Sequence, residues 1–142
     1  MAAKRDEITR LRLVLSRLAR RLRQEGSGGI TPSQLSALAV IDRRGPLTLG
    51  ELAAIEQVQP PSVSRIVGAL EGEGLVEREV DDRDRRAVLV RVTPAAHDQL
   101  EAIRRERNAW LASRLATLDA DERALVRAAV PVLERLLDPG SP

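Results

Sequence analysis

With 142 residues and no cysteine, the chain has the length of one domain and cannot form disulfides, thiolate metal sites, thiol nucleophiles or cysteine redox switches. Aromatic residues make up 1% of it, so its core must be assembled from Leu, Val, Ile and Ala, which favours helices. There are 23 basic residues against 21 acidic, a net charge of +2, and nearly all the basic ones are Arg, so a pI of about 10.2 overstates the basicity. What matters for a polyanionic partner is where the arginines cluster.

The segment Met1 to Arg10 is charged with no apolar region behind it, and no stretch reaches the roughly 18 apolar residues that cross a bilayer. A cytoplasmic location away from membranes is expected. From Asp6 to Glu25, apolar side chains recur at Ile8, Leu11, Leu15, Leu18 and Leu22, a spacing that puts them on one helix face. Gly26-Ser27-Gly28-Gly29 ends that helix. Thr31 as N-cap, Pro32 in the first helical position, Gln34 closing a capping box and Ile30 stapling onto Leu35 start a second helix that runs to about Arg43. Gly45-Pro46 stops it.

Thr48 and Glu51 repeat the capping device, with Leu47 and Leu52 as staple, for a short helix to about Gln57. After Pro60, Pro61 suits the start of a fourth helix whose inward residues are Val63, Ile66, Val67 and Leu70, ending at Gly72 and Gly74. Two short helices in this order make a helix-turn-helix. The period then changes to two, with Val76, Arg78 and Val80 and later Val88, Val90 and Val92 alternating with their neighbours around the charged loop Asp81 to Arg86, so an antiparallel hairpin is expected. Thr93-Pro94 opens a long helix to about Leu118, and Asp119 with Glu122 caps a last one bearing Leu125, Ala129, Val132, Leu133, Leu136 and Leu137. Pro131 should kink that helix or cost it one backbone bond.

An α-helix fits the major groove of DNA, and the fourth helix presents Ser62, Ser64 and Arg65 in its first turns. Serine hydroxyls donate or accept, while Arg65 can make two hydrogen bonds to guanine or contact one phosphate. Arg83, Arg85 and Arg86 on a narrow loop suit a minor groove, whose negative potential is strongest where it narrows over A·T-rich sequence. The plain alternative is a solvated turn, and serines at a helix start are ordinary capping material. Pro60-Pro61 already defines the start, which frees Ser64 from that task.

The segments Gln59-Pro60-Pro61-Ser62-Val63-Ser64-Arg65-Ile66-Val67 and Leu70 with Gly74-Leu75-Val76-Glu77-Arg78, the tip Asp81-Asp82-Arg83-Asp84-Arg85-Arg86 matching D-x-R-D-x-R, and Val92-Thr93-Pro94 together resemble the MarR family of bacterial transcriptional regulators over nearly the whole chain. The resemblance implies a mostly α (α+β) fold: one domain over 1–142, with a winged helix-turn-helix over 31–92 and dimerisation helices over 6–25 and 93–137. It implies that Asp81 and Asp84 support the wing, one of them pairing with Arg86, while Arg83 or Arg85 projects. Arg85 is nearest the tip on the return side and is favoured for the groove. It also implies a homodimer through Ile8, Leu11, Leu15, Leu133, Leu136 and Leu137, bound to a pseudo-palindromic operator in double-stranded DNA with half-sites about one helical turn apart. Such proteins commonly repress nearby genes and often sense small lipophilic or aromatic ligands.

Trp110 on the long helix is either packing or one wall of such a ligand pocket, and Arg12, Arg17 and Arg104 are candidate anchors there. Catalysis has little support. His97, the one histidine, has Glu101 a turn away, which falls short of a metal site or a triad, and no Gly-rich phosphate loop follows a strand. No cofactor or metal is expected. A winged-helix module that binds protein instead of DNA is the rival reading, and three exposed cations on the wing argue against it.

Overall fold

The structure, a computed structural model, describes residues 1–137. Its elements are α1 (Ala2–Gln24), α2 (Pro32–Arg44), β1 (Leu47–Thr48), α3 (Leu49–Glu56), α4 (Pro60–Gly72), β2 (Val76–Val80), β3 (Val88–Val92), α5 (Pro94–Leu115) and α6 (Ala120–Leu137). This is the winged helix-turn-helix expected from the periodicity, with boundaries moved: α1 begins before Asp6, α4 begins at Pro60 rather than Pro61, and α5 ends short of Leu118.

The predicted caps form. Thr31 Oγ1 accepts the Gln34 N–H while the Gln34 side chain accepts the Thr31 N–H, and Thr48 with Glu51 and Asp119 with Glu122 do the same for α3 and α6. Each box satisfies N–H groups that a helix start leaves open. The helix α6 runs on through Pro131.

The hairpin β2–β3 pairs Val76 with Val92 and Val80 with Val88, and β1 adds to the other edge of β3 through Leu47 opposite Val90, giving the order β1-β3-β2. Sequence reasoning missed β1, since two residues carry no readable period. Gly74 sits at φ 72° between α4 and β2, a left-handed conformation that suits glycine, and the Leu75 N–H returns to the Leu70 carbonyl at 2.9 Å. Thr93 locks the hairpin base to α5: its hydroxyl donates to the Gly74 carbonyl at 2.9 Å and accepts the Ala96 N–H at 3.2 Å.

The chain divides into two compact units, Met1–Arg107 and a second beginning at Asn108, with the division inside α5. In the first, Leu38 and Ile41 of α2, Leu52 of α3, Val63, Val67 and Leu70 of α4, Val76 and Val90 of the sheet, and Leu100 and Ile103 of α5 make one buried aliphatic cluster. In α4 the expected inward set is buried except Ile66, which is half-buried. The helix α1 leaves its apolar stripe exposed, Ile8 by 62%. In the second unit α6 has no buried residue at all, and Leu125 is 71% exposed and Leu137 84%.

Candidate nucleic-acid interface

Core packing decides which face α4 shows to solvent. Val63, Val67 and Leu70 point inward, so at 3.6 residues per turn Arg65 lies on the opposite side; it and Ser64 are exposed, while Ser62 is half-buried at the flank. Gly68 follows on the same exposed face, a position the sequence reading did not single out. The start of this helix is unusual in its donors: Pro60 and Pro61 have no N–H, and the N–H groups of Ser62 and Val63 both reach the Gln59 carbonyl, at 3.0 and 3.2 Å. The turn before it places Gln57 at φ 54°, the one non-glycine residue with positive φ among the described residues.

The wing is braced through its main chain. Asp81 Oδ1 accepts the Arg83 N–H at 2.9 Å and Asp84 Oδ1 accepts the Arg86 N–H at 3.0 Å, two Asx turns in succession. The Asp81 N–H donates to the Ala87 carbonyl at 3.0 Å and the Ala87 N–H to the Asp84 carbonyl at 2.9 Å, which close the loop. Both carboxylates thus hold main-chain N–H groups, and among the described residues neither forms an ion pair with the Arg86 guanidinium, unlike the pairing the resemblance implies. Arg83, Arg85 and Arg86 are all exposed, and none has an ion-pair partner among the described residues. The arginines nearer the hairpin base are engaged, Arg78 with Glu71 at 2.5 Å and Arg91 with Glu79 at 3.1 Å.

A family model described as the MarR family matches residues 30–88, from the start of α2 to the first residue of β3. The HTH-type transcriptional regulator Mb0904 of Mycobacterium bovis is 41% identical over 129 residues, which cover 90% of this chain and 90% of its own. This chain belongs to the MarR family. Among solved structures, a Pseudomonas aeruginosa protein described as a transcriptional regulator matches this MarR-family chain at TM-score 0.84 and 35% identity, over 95% of this chain and 96% of its own. FabT of Streptococcus pneumoniae, solved in complex with DNA, shares the fold at TM-score 0.70 and 19% identity, over 96% of this chain and 97% of its own. No helix among the described residues is long and apolar enough to cross a membrane.

One polar cluster in this MarR-family chain escaped sequence reasoning. His97 at the start of α5 meets Asp42 of α2, with Nδ1 2.7 Å from Oδ1, and the Asp42 side chain is only 8% exposed. Arg104, a candidate ligand anchor, is instead committed to the same network, hydrogen-bonded to Glu101 and 3.5 Å from Asp42 Oδ2. Asp42, His97 and Glu101 bring possible ligand atoms within 4.8 Å of one another, and both carboxylates are also paired with the Arg104 guanidinium.

The hydrogen bond that His97 Nδ1 donates to Asp42, then the Asp42 charge, raises the His97 pKa above the ordinary 6.5, with Glu101 and Asp98 adding to it. A raised pKa means that the folded protein binds this proton more tightly than the unfolded chain. The stability it contributes is fully present below pH 6.5 and is lost as the pH climbs through the raised value. Urea midpoints measured across that range should fall with pH for the natural chain and change less for His97→Gln. Equal slopes would remove His97 from the account.

Trp110 lies in the second unit, half-buried, with the Arg114 guanidinium 5.7 Å from its ring centroid. Arg12 and Arg17 are exposed on α1. A cavity of 460 Å³ in the first unit is bordered by other cations, Arg23 and Arg107, over Ile30, Leu35 and Ala39. The Arg107 Nε donates to the Glu25 carbonyl at 3.1 Å, which fixes that side chain at the rim.

Proposed function

We propose that the chain is a non-enzymatic, cytoplasmic homodimer that binds a pseudo-palindromic operator in double-stranded DNA and represses nearby genes. In this reading α4 enters the major groove with Ser62, Ser64 and Arg65, and the wing reaches the minor groove and backbone with Arg83, Arg85 and Arg86. The observation that carries it is the wing itself: Asp81 and Asp84 hold main-chain N–H groups, and Arg83, Arg85 and Arg86 are exposed with no ion-pair partner among the described residues. Exposed arginines outside any ion pair, projecting from a braced loop, suit a polyanion. The DNA held by FabT, a protein of the same fold, supports the same partner. The cavity at Arg23 and Arg107, apolar below and cationic at its rim, fits release by a small lipophilic or aromatic ligand carrying an acid group; Trp110 is not among the residues that line it.

The test is fluorescence anisotropy on fragments from the chain's own gene neighbourhood, comparing the natural protein with Arg65→Ala. A base contact predicts a loss of about 1–3 kcal/mol and a relaxed preference at one position per half-site. An equal loss on every sequence would move Arg65 to a phosphate, and no loss would remove α4 from the interface.

Dimerisation rests on the exposed apolar faces. Ile8, Leu11 and Leu15 on α1 and Leu136 and Leu137 on α6 are exposed, and Leu133 is half-buried. So much apolar surface on two helices is the mark of a chain completed by a second copy. Deleting the residues after Leu118 should give monomers or insoluble protein in sedimentation experiments. A well-folded dimer after that deletion would contradict this assignment.

A further inference from the structure

A second opening in the first unit lies between α2, α3 and the start of α4, with a volume of 310 Å³. Ala37 of α2, Leu52 of α3, and Val63 and Ile66 of α4 give it an apolar floor. At its edge stands Glu56, the last residue of α3, half-buried, whose Oε2 accepts a hydrogen bond from the Ser36 hydroxyl at 2.7 Å. Among the described residues no Arg, Lys or His forms an ion pair with it.

A carboxylate that gives up part of its hydration to an apolar wall loses free energy unless a partner replaces the water. Ser36 satisfies one of the several acceptor positions that the two oxygens offer. What remains is a negative charge at the edge of an apolar groove, with no ion-pair partner among the described residues.

We propose that this groove binds a monovalent organic cation with an apolar body, an aryl- or alkylammonium, with its head at Glu56 and its body along Ala37, Leu52, Val63 and Ile66. At 310 Å³ the groove stands near the lower end of the roughly 300–1,000 Å³ range of small-molecule sites, so the ligand is about one ring and a short charged head. The neighbouring cavity at Arg23 and Arg107 has the opposite sign and shares Ser36 with this one, so the two openings sort ligands by charge. Because Val63 and Ile66 belong to α4, a ligand held here bears on the helix that carries Ser64 and Arg65. Only that last effect rests on the DNA-binding reading above; the binding site does not.

The experiment uses the full chain without DNA, labelled with carbon-13 at its Ile, Leu and Val methyl groups. Benzyltrimethylammonium is titrated in, and 3-phenylpropionate in parallel as a probe of opposite charge. The ammonium should shift the methyl signals of Leu52, Val63 and Ile66, and Glu56→Gln, which keeps the size and an acceptor for Ser36, should weaken it by about tenfold, the worth of roughly 1.4 kcal/mol. Binding of 3-phenylpropionate should be the same in both proteins. On the natural protein, added NaCl should weaken the ammonium through screening, a measurement that needs no variant. Unchanged ammonium affinity in Glu56→Gln, indifference to salt, or shifts centred on Ile30 and Leu35 would overturn the proposal. Since no DNA is present, those results stand whatever the chain does with an operator.

Discussion

The double variant Arg83→Ala, Arg85→Ala should bind DNA with a much shallower dependence on salt than the natural protein. Each phosphate neutralised by a side chain adds about 0.9 to the slope of log K against log salt, so two lost contacts remove about 1.8 per wing and about 3.6 from a dimer with two wings. Affinity should fall on every sequence, and an arginine inserted in the minor groove adds a sequence term. In that case the loss is larger on probes with A·T-rich flanks than on G·C-rich ones. The wing geometry separates this from indirect damage. Arg86→Ala removes a third exposed cation and should lower the slope in the same way, because no carboxylate depends on it. Asp84→Ala removes the acceptor of the Arg86 N–H and should loosen the loop while leaving all three charges in place. If affinity and slope were unchanged in the double variant, the wing would not touch DNA, and a protein partner would become the better reading.

Leu70→Ala should cost about 2–5 kcal/mol of stability, the usual range for truncating a fully buried leucine in a core that cannot collapse onto the gap. Leu70 is 0% exposed, near the end of α4, and its carbonyl receives the Leu75 N–H that begins the turn into β2. Set against a typical total of about 5–15 kcal/mol, that loss is a large fraction of the whole. Urea denaturation at fixed protein concentration measures it, the concentration being held because association with a second copy adds to apparent stability. A loss below about 1 kcal/mol would mean that the site repacks. Leu125→Ala is the control: at 71% exposed it leaves no cavity within the chain, and any effect should follow protein concentration.

What could be read in advance was what is local along the chain. Thr31 with Gln34, Thr48 with Glu51 and Asp119 with Glu122 are each three residues apart, and all three boxes formed. Inward positions of α4 follow from a period that repeats several times in one element. By contrast β1, two residues long, exists because β3 offers an edge to pair with, and no pattern within Leu47–Thr48 announces it. His97 and Asp42 are 55 positions apart, and only the packing of α5 on α2 makes them partners, so His97 was set beside Glu101 on its own helix instead. The wing lies between these cases. The residue types pointed to aspartates that hold the loop, yet a spacing of two places each carboxylate on a main-chain N–H more readily than on a guanidinium. The cations around the 460 Å³ cavity, Arg23 and Arg107, come from α1 and α5, far apart in sequence, so no local pattern brings them together.

The paired prolines at the start of α4 have one more implication. A helix that opens with free N–H groups grips a phosphate through its backbone, whatever its side chains are. Here Pro60 and Pro61 remove two of those donors and the Gln59 carbonyl takes the next two. The helix start is thus fixed without free main-chain donors, and in the proposed reading α4 meets a nucleic acid through exposed side chains, with Ser62, Ser64 and Arg65 as the candidates. If that reading holds, side chains at those three positions can be exchanged without disturbing how the helix begins, and a new target sequence would need only a few substitutions on an unchanged scaffold.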